Sequence, residues 1–131
     1  MYQRIVLIGR LGRDPESRFT PDGTPVTTFS VATDRRWTDA SGQQQSKTTW
    51  FRCVAWRRLA ETCNQYLSKG QLVMVEGEVQ EPKVYQGRDG EWRASLDVTA
   101  RSVQFLSPKG ERQNGGESGG DGDTGEESIP F

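Results

Sequence analysis

Residues 48–80 read TTWFRCVAWRRLAETCNQYLSKGQLVMVEGEVQ, and within this stretch the hydrophobic period changes twice. From Thr48 to Trp56 the pattern predicts a strand, whose side chains point alternately to opposite faces. Trp50, Arg52, Val54 and Trp56 share one side, and Thr49, Phe51, Cys53 and Ala55 share the other. From Leu59 the period lengthens: Leu59, Cys63, Tyr66 and Leu67 fall at i, i+4, i+7 and i+8, one face of a helix about three turns long. Lys69-Gly70 supplies a basic last turn and a C′ glycine. Alternation then resumes over Gln71 to Gln80, with Val73, Val75 and Val79 on one side and Leu72, Met74 and Glu76 on the other. Gly77 in the middle predicts a bulge or sharp bend.

Working outward, Ile5 to Ile8 is a short apolar strand closed by Gly9-Arg10-Leu11-Gly12 and Asp14-Pro15. After a turn at Pro21-Asp22-Gly23, a second strand carries Val26, Phe29, Val31 and Ala32. Thr38 to Lys47 is polar and contains glycine, which predicts an exposed hairpin loop before the Thr48 strand. Downstream, Gly87-Arg88-Asp89-Gly90 reads as a hairpin turn and Trp92 to Leu106 as one long final strand. Three strands, a helix and two further strands is the element order of the mostly β OB-fold, a five-stranded Greek-key barrel with its helix between strands three and four. A split β-sandwich with a docked helix satisfies the same order.

Composition divides the 131 residues in two. Residues 1–106 carry a net charge of +3 and residues 107–131 a net charge of −4, which together make the −1 of the whole chain. The second segment is rich in glycine and nearly devoid of apolar residues before Ile129, so it cannot bury enough surface to offset its ordering entropy; we read it as a disordered acidic tail. A featureless extension accounts for residues 107–125 equally well. It accounts poorly for the end, Glu126-Glu127-Ser128-Ile129-Pro130-Phe131, where carboxylates run into three apolar residues as in a short docking peptide.

With no histidine and only Cys53 and Cys63, the usual zinc ligand sets are absent and no metal or cofactor is expected. Buried, reduced thiols are the expectation for both cysteines, which suits a reducing compartment. Met1-Tyr2-Gln3-Arg4 leads straight into a short strand without a signal-peptide core, and no long apolar stretch follows; a cytoplasmic protein without a membrane segment is expected. No catalytic constellation is present: there is no histidine base and no phosphate-cradling loop, and Gly9-x-x-Gly12 lacks the third glycine and helix of a dinucleotide site.

The informative chemistry is aromatic and basic. Trp50 and Trp56 flank Arg52 on one strand face, and Trp37 follows Arg35 and Arg36 at the end of the preceding strand. Rings interleaved with guanidinium groups suit single-stranded nucleic acid, because each base stacks on a ring while cations track the phosphates. Duplex reading calls for a helix able to enter the major groove, and here the helix has only Arg57 and Arg58 at its start. By pattern alone, Trp50 and Trp56 serve equally well as packing residues. Lys83 and Tyr85 on the last hairpin offer a second stacking site or a solvated arm, and Trp92 caps either end of the barrel.

Gly9-Arg10-Leu11-Gly12-Arg13-Asp14-Pro15, Arg18-Phe19-Thr20-Pro21-Asp22-Gly23, Phe29-Ser30-Val31-Ala32-Thr33 and Thr49-Trp50-Phe51-Arg52-Cys53-Val54-Ala55-Trp56 resemble the corresponding segments of the bacterial single-stranded DNA-binding proteins. Leu59-Ala60-Glu61, Tyr66-Leu67-Ser68-Lys69-Gly70 and Val75-Glu76-Gly77 match in order and spacing, and Ile129-Pro130-Phe131 is similar to that family's tip. The resemblance implies a DNA-binding and oligomerisation domain over 1–106, usually a homotetramer, and a protein-interaction tail over 107–131. It implies stacking by Trp37, Trp50 and Trp56 with Arg52 beside them, and docking of Asp123, Glu126, Glu127, Ile129, Pro130 and Phe131 onto replication, recombination and repair proteins in the bacterial nucleoid. Departures are visible. Phe51 stands where many relatives have histidine, and Val84 where an aromatic is common, with Tyr85 one residue on. The tail's Asp121, Asp123, Glu126 and Glu127 are scattered rather than consecutive. Two other readings remain at this point: an OB-fold RNA chaperone or replication-restart accessory, and an accessory subunit whose aromatics serve protein contacts.

Overall fold

The computed structural model describes residues 1–108. Strand β1 spans Ile5–Leu11, β2 Glu16–Phe19, β3 Pro25–Thr38 and β4 Gln44–Trp56; helix α1 spans Arg57–Tyr66; β5 spans Leu72–Val79, β6 Lys83–Gln86, β7 Trp92–Ser95 and β8 Asp97–Phe105. One sheet runs in the order β1-β5-β8-β4-β3-β2, and an added pairing of β1 with β3 closes its five long strands into a barrel. The closing pairs are Arg10 with Ala32 and Leu11 with Val31. This is the OB-type barrel expected from the element order, and the sandwich alternative is set aside.

The core follows from alternation. Phe29, Val31, Cys53 and Ala55 from β3 and β4 meet Leu7 and Leu11 of β1, Val73 and Val75 of β5, and Val98 and Ala100 of β8. Helix α1 seals one end of the barrel with Ala60, Cys63 and the following Leu67, all buried. Thr27, itself buried, donates its hydroxyl hydrogen to the Ala60 carbonyl at 2.7 Å, so the polar group carried into this contact is satisfied. Two glycines make the curvature sterically possible. A Cβ on Gly9 would strike the Ala32 carbonyl at the β1–β3 closure, and one on Gly77 would strike the Thr99 carbonyl. The expected bulge is found at Gly77: Glu76 pairs with Ser102 but Gly77 with Ala100, leaving Arg101 as the extra residue on β8.

Four boundaries differ from the sequence reading. Half of the loop expected over Thr38 to Lys47 is strand, because β3 and β4 pair through Thr38 with Gln44 and leave residues 39–43 to turn. The turn is organised by Asp39, whose Oδ1 accepts from the Ser41 and Gln43 backbone amides. Hydrogen bonding from Gln43, with Ser41 and Gln45, holds the Asp39 carboxyl below the usual range. Strand β2, exposed along its whole length, carries no apolar alternation to reveal it; it exists by pairing with Pro25–Thr28 of β3. Helix α1 ends at Tyr66, with Leu67 capping back to Cys63, so Gly70 belongs to a separate turn and Tyr66 stays largely exposed. The long final strand is two: β7 pairs with β6 in a separate ribbon, β8 joins the barrel, and Leu96 divides them.

Both cysteines are free and buried. Burial raises each thiol from its ordinary 9.0 to about 12. A thiol whose folded pKa is raised contributes stability that is whole below about pH 9 and is lost as pH climbs towards 12, because the unfolded chain ionises first. In alkaline urea titrations, stability of the parent is expected to fall more steeply above pH 9 than that of Cys63→Ala; parallel slopes would contradict the burial of that thiol. A second prediction concerns Arg57, which enters α1 at φ 58, a left-handed conformation strained for any residue with a Cβ. Replacing Arg57 with Gly should stabilise the fold by about 1 kcal/mol, read as a raised urea midpoint.

Candidate nucleic-acid interface

The unbroken register of β3 with β4, from Val26 opposite Trp56 to Thr38 opposite Gln44, fixes which side chains share a face. Phe51, Cys53 and Ala55 turn inward, which sends Trp50, Arg52, Val54 and Trp56 to the outer face. Trp50 is 53 % exposed and Trp56 41 %, so neither indole is a core residue. Trp50 nevertheless has a seat. A Cβ on Gly12 would lie 2.5 Å from Cζ3 and 2.7 Å from Cη2 of its ring, so the absence of a side chain there lets the indole lie against the chain as it leaves β1.

The remaining residues named from sequence divide between two arms. At the distal end of the β3–β4 ribbon, Arg36 pairs with Ser46 and shares the Trp50 face, whereas Arg35 opposite Lys47 and Trp37 opposite Gln45 have the other parity. On that second face the Arg35 guanidinium lies over the Trp37 ring, 5.4 Å from its centre. This cation–π contact orients the two side chains together and leaves the indole 39 % exposed. The β6–β7 ribbon also separates its aromatics. Lys83 and Tyr85 lie with Arg93 and Ser95 on one face, while Trp92 lies with Val84, Gln86 and Ala94 on the other. Tyr85 and Trp92 therefore do not form one stacking site, and each is half exposed or more.

Register adds residues that the linear pattern did not reveal. Arg18 on β2 pairs with Val26, which pairs with Trp56, so Arg18 lies in the same transverse row as that indole. Asp97 faces Arg52 through the short parallel contact of β4 with β8. Gly12 was visible only as part of a bend, since its use as a seat depends on a ring contributed from another strand. The tail residues Asp121, Asp123, Glu126, Glu127, Ile129, Pro130 and Phe131 lie outside the described residues.

Among the described residues, no group of three or more His, Cys, Asp and Glu converges in a metal-holding arrangement, and no helix is long and apolar enough to cross a membrane. What the outer face offers is flat aromatic surface, cations and hydroxyls, arranged in an open strip rather than around an enclosed cleft.

The model of the single-strand binding protein family matches residues 2–106. A single-stranded DNA-binding protein of Neisseria meningitidis serogroup A is 46 % identical over 112 residues, spanning 86 % of this chain and 64 % of the relative. Single-stranded DNA-binding protein A of Bacillus subtilis is 43 % identical over 122 residues, spanning 93 % of this chain and 67 % of that protein. Among solved structures, a Plasmodium falciparum SSB complex with ssDNA superposes with a TM-score of 0.69 at 27 % identity, covering 82 % of this chain and 97 % of that one.

If Gly12 seats Trp50, Gly12→Ala should push the ring outward, changing indole emission and raising its accessibility to acrylamide at a stability cost of about 1 kcal/mol or less. The spectral change should vanish when Trp50 is replaced by Phe in the same background; persistence there would place its origin elsewhere.

Proposed function

This chain belongs to the single-strand binding protein family, and from that premise we propose that it binds and protects single-stranded DNA without regard to sequence during replication, recombination and repair. The observation that carries the reading is the outer face of β4, where Trp50 and Trp56 stand exposed on either side of Arg52. An exposed indole costs solvation and gains nothing from the core, and stacking on a base recovers that loss. Any base presents a π-face, so a ring-lined strip is sequence-tolerant by construction, whereas base-edge hydrogen bonding would discriminate.

In this reading the strand runs along β4 and continues onto the two ribbons. Trp37 with Arg35 and Arg36 would engage it on the β3–β4 arm, and Lys83, Tyr85 and Trp92 on the β6–β7 arm. The two ribbons reach out from a closed barrel, which gives rigid placement at their bases and freedom at their tips. The protein acts without catalysis, melting hairpins by mass action on unpaired strands. Assembly as a homotetramer would bring several such strips together, so that one strand meets more than one face. The acidic tail would recruit replication, recombination and repair proteins through Ile129, Pro130 and Phe131 with Asp123, Glu126 and Glu127. A cytoplasmic, nucleoid-associated location follows from the ligand.

Titration with poly(dT) should quench the tryptophan emission strongly at low salt. Trp50→Ala and Trp56→Ala should each weaken binding by about 1–3 kcal/mol. Parental affinity in both variants would show that the β4 face is the wrong surface. Matched RNA and DNA oligomers separate this function from RNA binding, since 2′-hydroxyl contacts would favour RNA.

A further inference from the structure

The cation at the centre of the β4 face is already paired. Arg52 Nη1 lies 3.7 Å from Asp97 Oδ2, with the arginine side chain 48 % exposed and the aspartate side chain only 10 %. The pair is built into the barrel. Arg52 and Asp97 are register partners in the parallel contact of β4 with β8, and the Arg52 amide donates to the Leu96 carbonyl at 2.9 Å. The Ser95 hydroxyl donates to Asp97 Oδ1, and the Gln80 amide donates to the Asp97 carbonyl at 2.8 Å. The Asp97 main chain is thus fixed by Gln80 and one carboxylate oxygen by Ser95, with Oδ2 left towards Arg52.

This arrangement changes what Arg52 can do. If its guanidinium swung out to a phosphate, it would leave behind a nine-tenths buried carboxylate supported only by a serine hydroxyl. Uncompensated buried charge is strongly unfavourable, so the pair resists separation. A guanidinium carries five donors in a plane, and one carboxylate oxygen occupies few of them. The remaining edge and the flat face stay available between the two indoles.

We propose that Asp97 is a positioning residue for DNA binding: it keeps Arg52 in a charge-compensated pair between Trp50 and Trp56, where the guanidinium stacks on and hydrogen-bonds to bases instead of neutralising a phosphate. The inference rests on the reading of β4 as the DNA-binding face. Its signature is the salt dependence of binding, because only a cation that neutralises a phosphate releases a counterion from the strand. Each such contact on single-stranded DNA contributes about 0.7 to the slope of log K against log salt.

The experiment is a poly(dT) titration of the full chain across a series of NaCl concentrations, for the parent, Arg52→Met, Asp97→Asn and the double variant. Arg52→Met is expected to weaken binding several-fold while leaving the salt slope unchanged. Asp97→Asn should steepen the slope by about 0.7 per engaged chain as the freed Arg52 turns to a phosphate. The double variant should return to the slope of Arg52→Met. The inference is overturned if Arg52→Met alone makes the slope shallower by about 0.7, or if folded Asp97→Asn leaves it unchanged. Should either single variant fail to fold by circular dichroism, the double variant, which strands no buried charge, decides: a slope equal to the parent's supports the inference and one shallower by about 0.7 overturns it. A parent that does not bind poly(dT) would remove the DNA reading itself and this inference with it; binding by the parent with the wrong slopes overturns the inference only.

Discussion

The structure depends on the strict period of two along β4. A strand with one face against a core and the other against solvent has no freedom of register, since a slip of one residue would exchange Cys53 and Ala55 for the polar and indole-bearing face. Thirteen consecutive pairs with β3 lock that choice. The same alternation that buries the small core residues therefore compels Trp50, Arg52 and Trp56 outward, and the proposed binding face is a geometric consequence of the core.

Barrel closure is what makes the face usable. An open six-stranded sheet would leave long edges for unwanted pairing, whereas joining β1 to β3 removes most of them. Closure demands that backbones cross closely, and Gly9 and Gly77 provide the space. Gly12, three residues beyond Gly9, uses the same lack of a side chain for a different end, giving the Trp50 ring a backbone surface to rest on. A ring supported on one side loses less rotational freedom when a base covers the other, which is how a fixed scaffold lowers the cost of stacking.

The sequence revealed whatever local periodicity encodes: the Thr48–Trp56 strand, the helix after it, the alternating strand with its Gly77 bulge, and the shared face of Trp50, Arg52 and Trp56, although pattern alone left open whether that face was core or surface. It concealed what depends on pairing. Strand β2 has no pattern of its own, and Thr38 with Gln44 to Lys47 is polar on both faces, so it reads as loop until its pairing is seen. The division of the last strand at Leu96 was hidden because both pieces are strand-forming, and only their partners differ. Tyr85 and Trp92 looked equivalent in the chain; register sets them on opposite faces of one ribbon. The pairing of Arg52 with Asp97 is likewise invisible without the parallel contact between β4 and β8.

That pairing bears on how a chain with an overall charge of −1 would bind a polyanion in the proposed function. Counterion release rewards each free cation and makes affinity fall steeply with salt, whereas stacking is nearly indifferent to salt. If the β4 face binds DNA as proposed, indoles around a compensated arginine would lean on the second term. Among the described residues, Arg36 on the β3–β4 arm and Arg18 one strand beyond Val26 would supply charge beside that face. Under the proposed reading, charge set at the periphery would guide a strand towards the barrel and aromatic surface at the centre would hold it. Separating the two roles in space would let the central contacts persist at salt concentrations that strip a purely electrostatic groove.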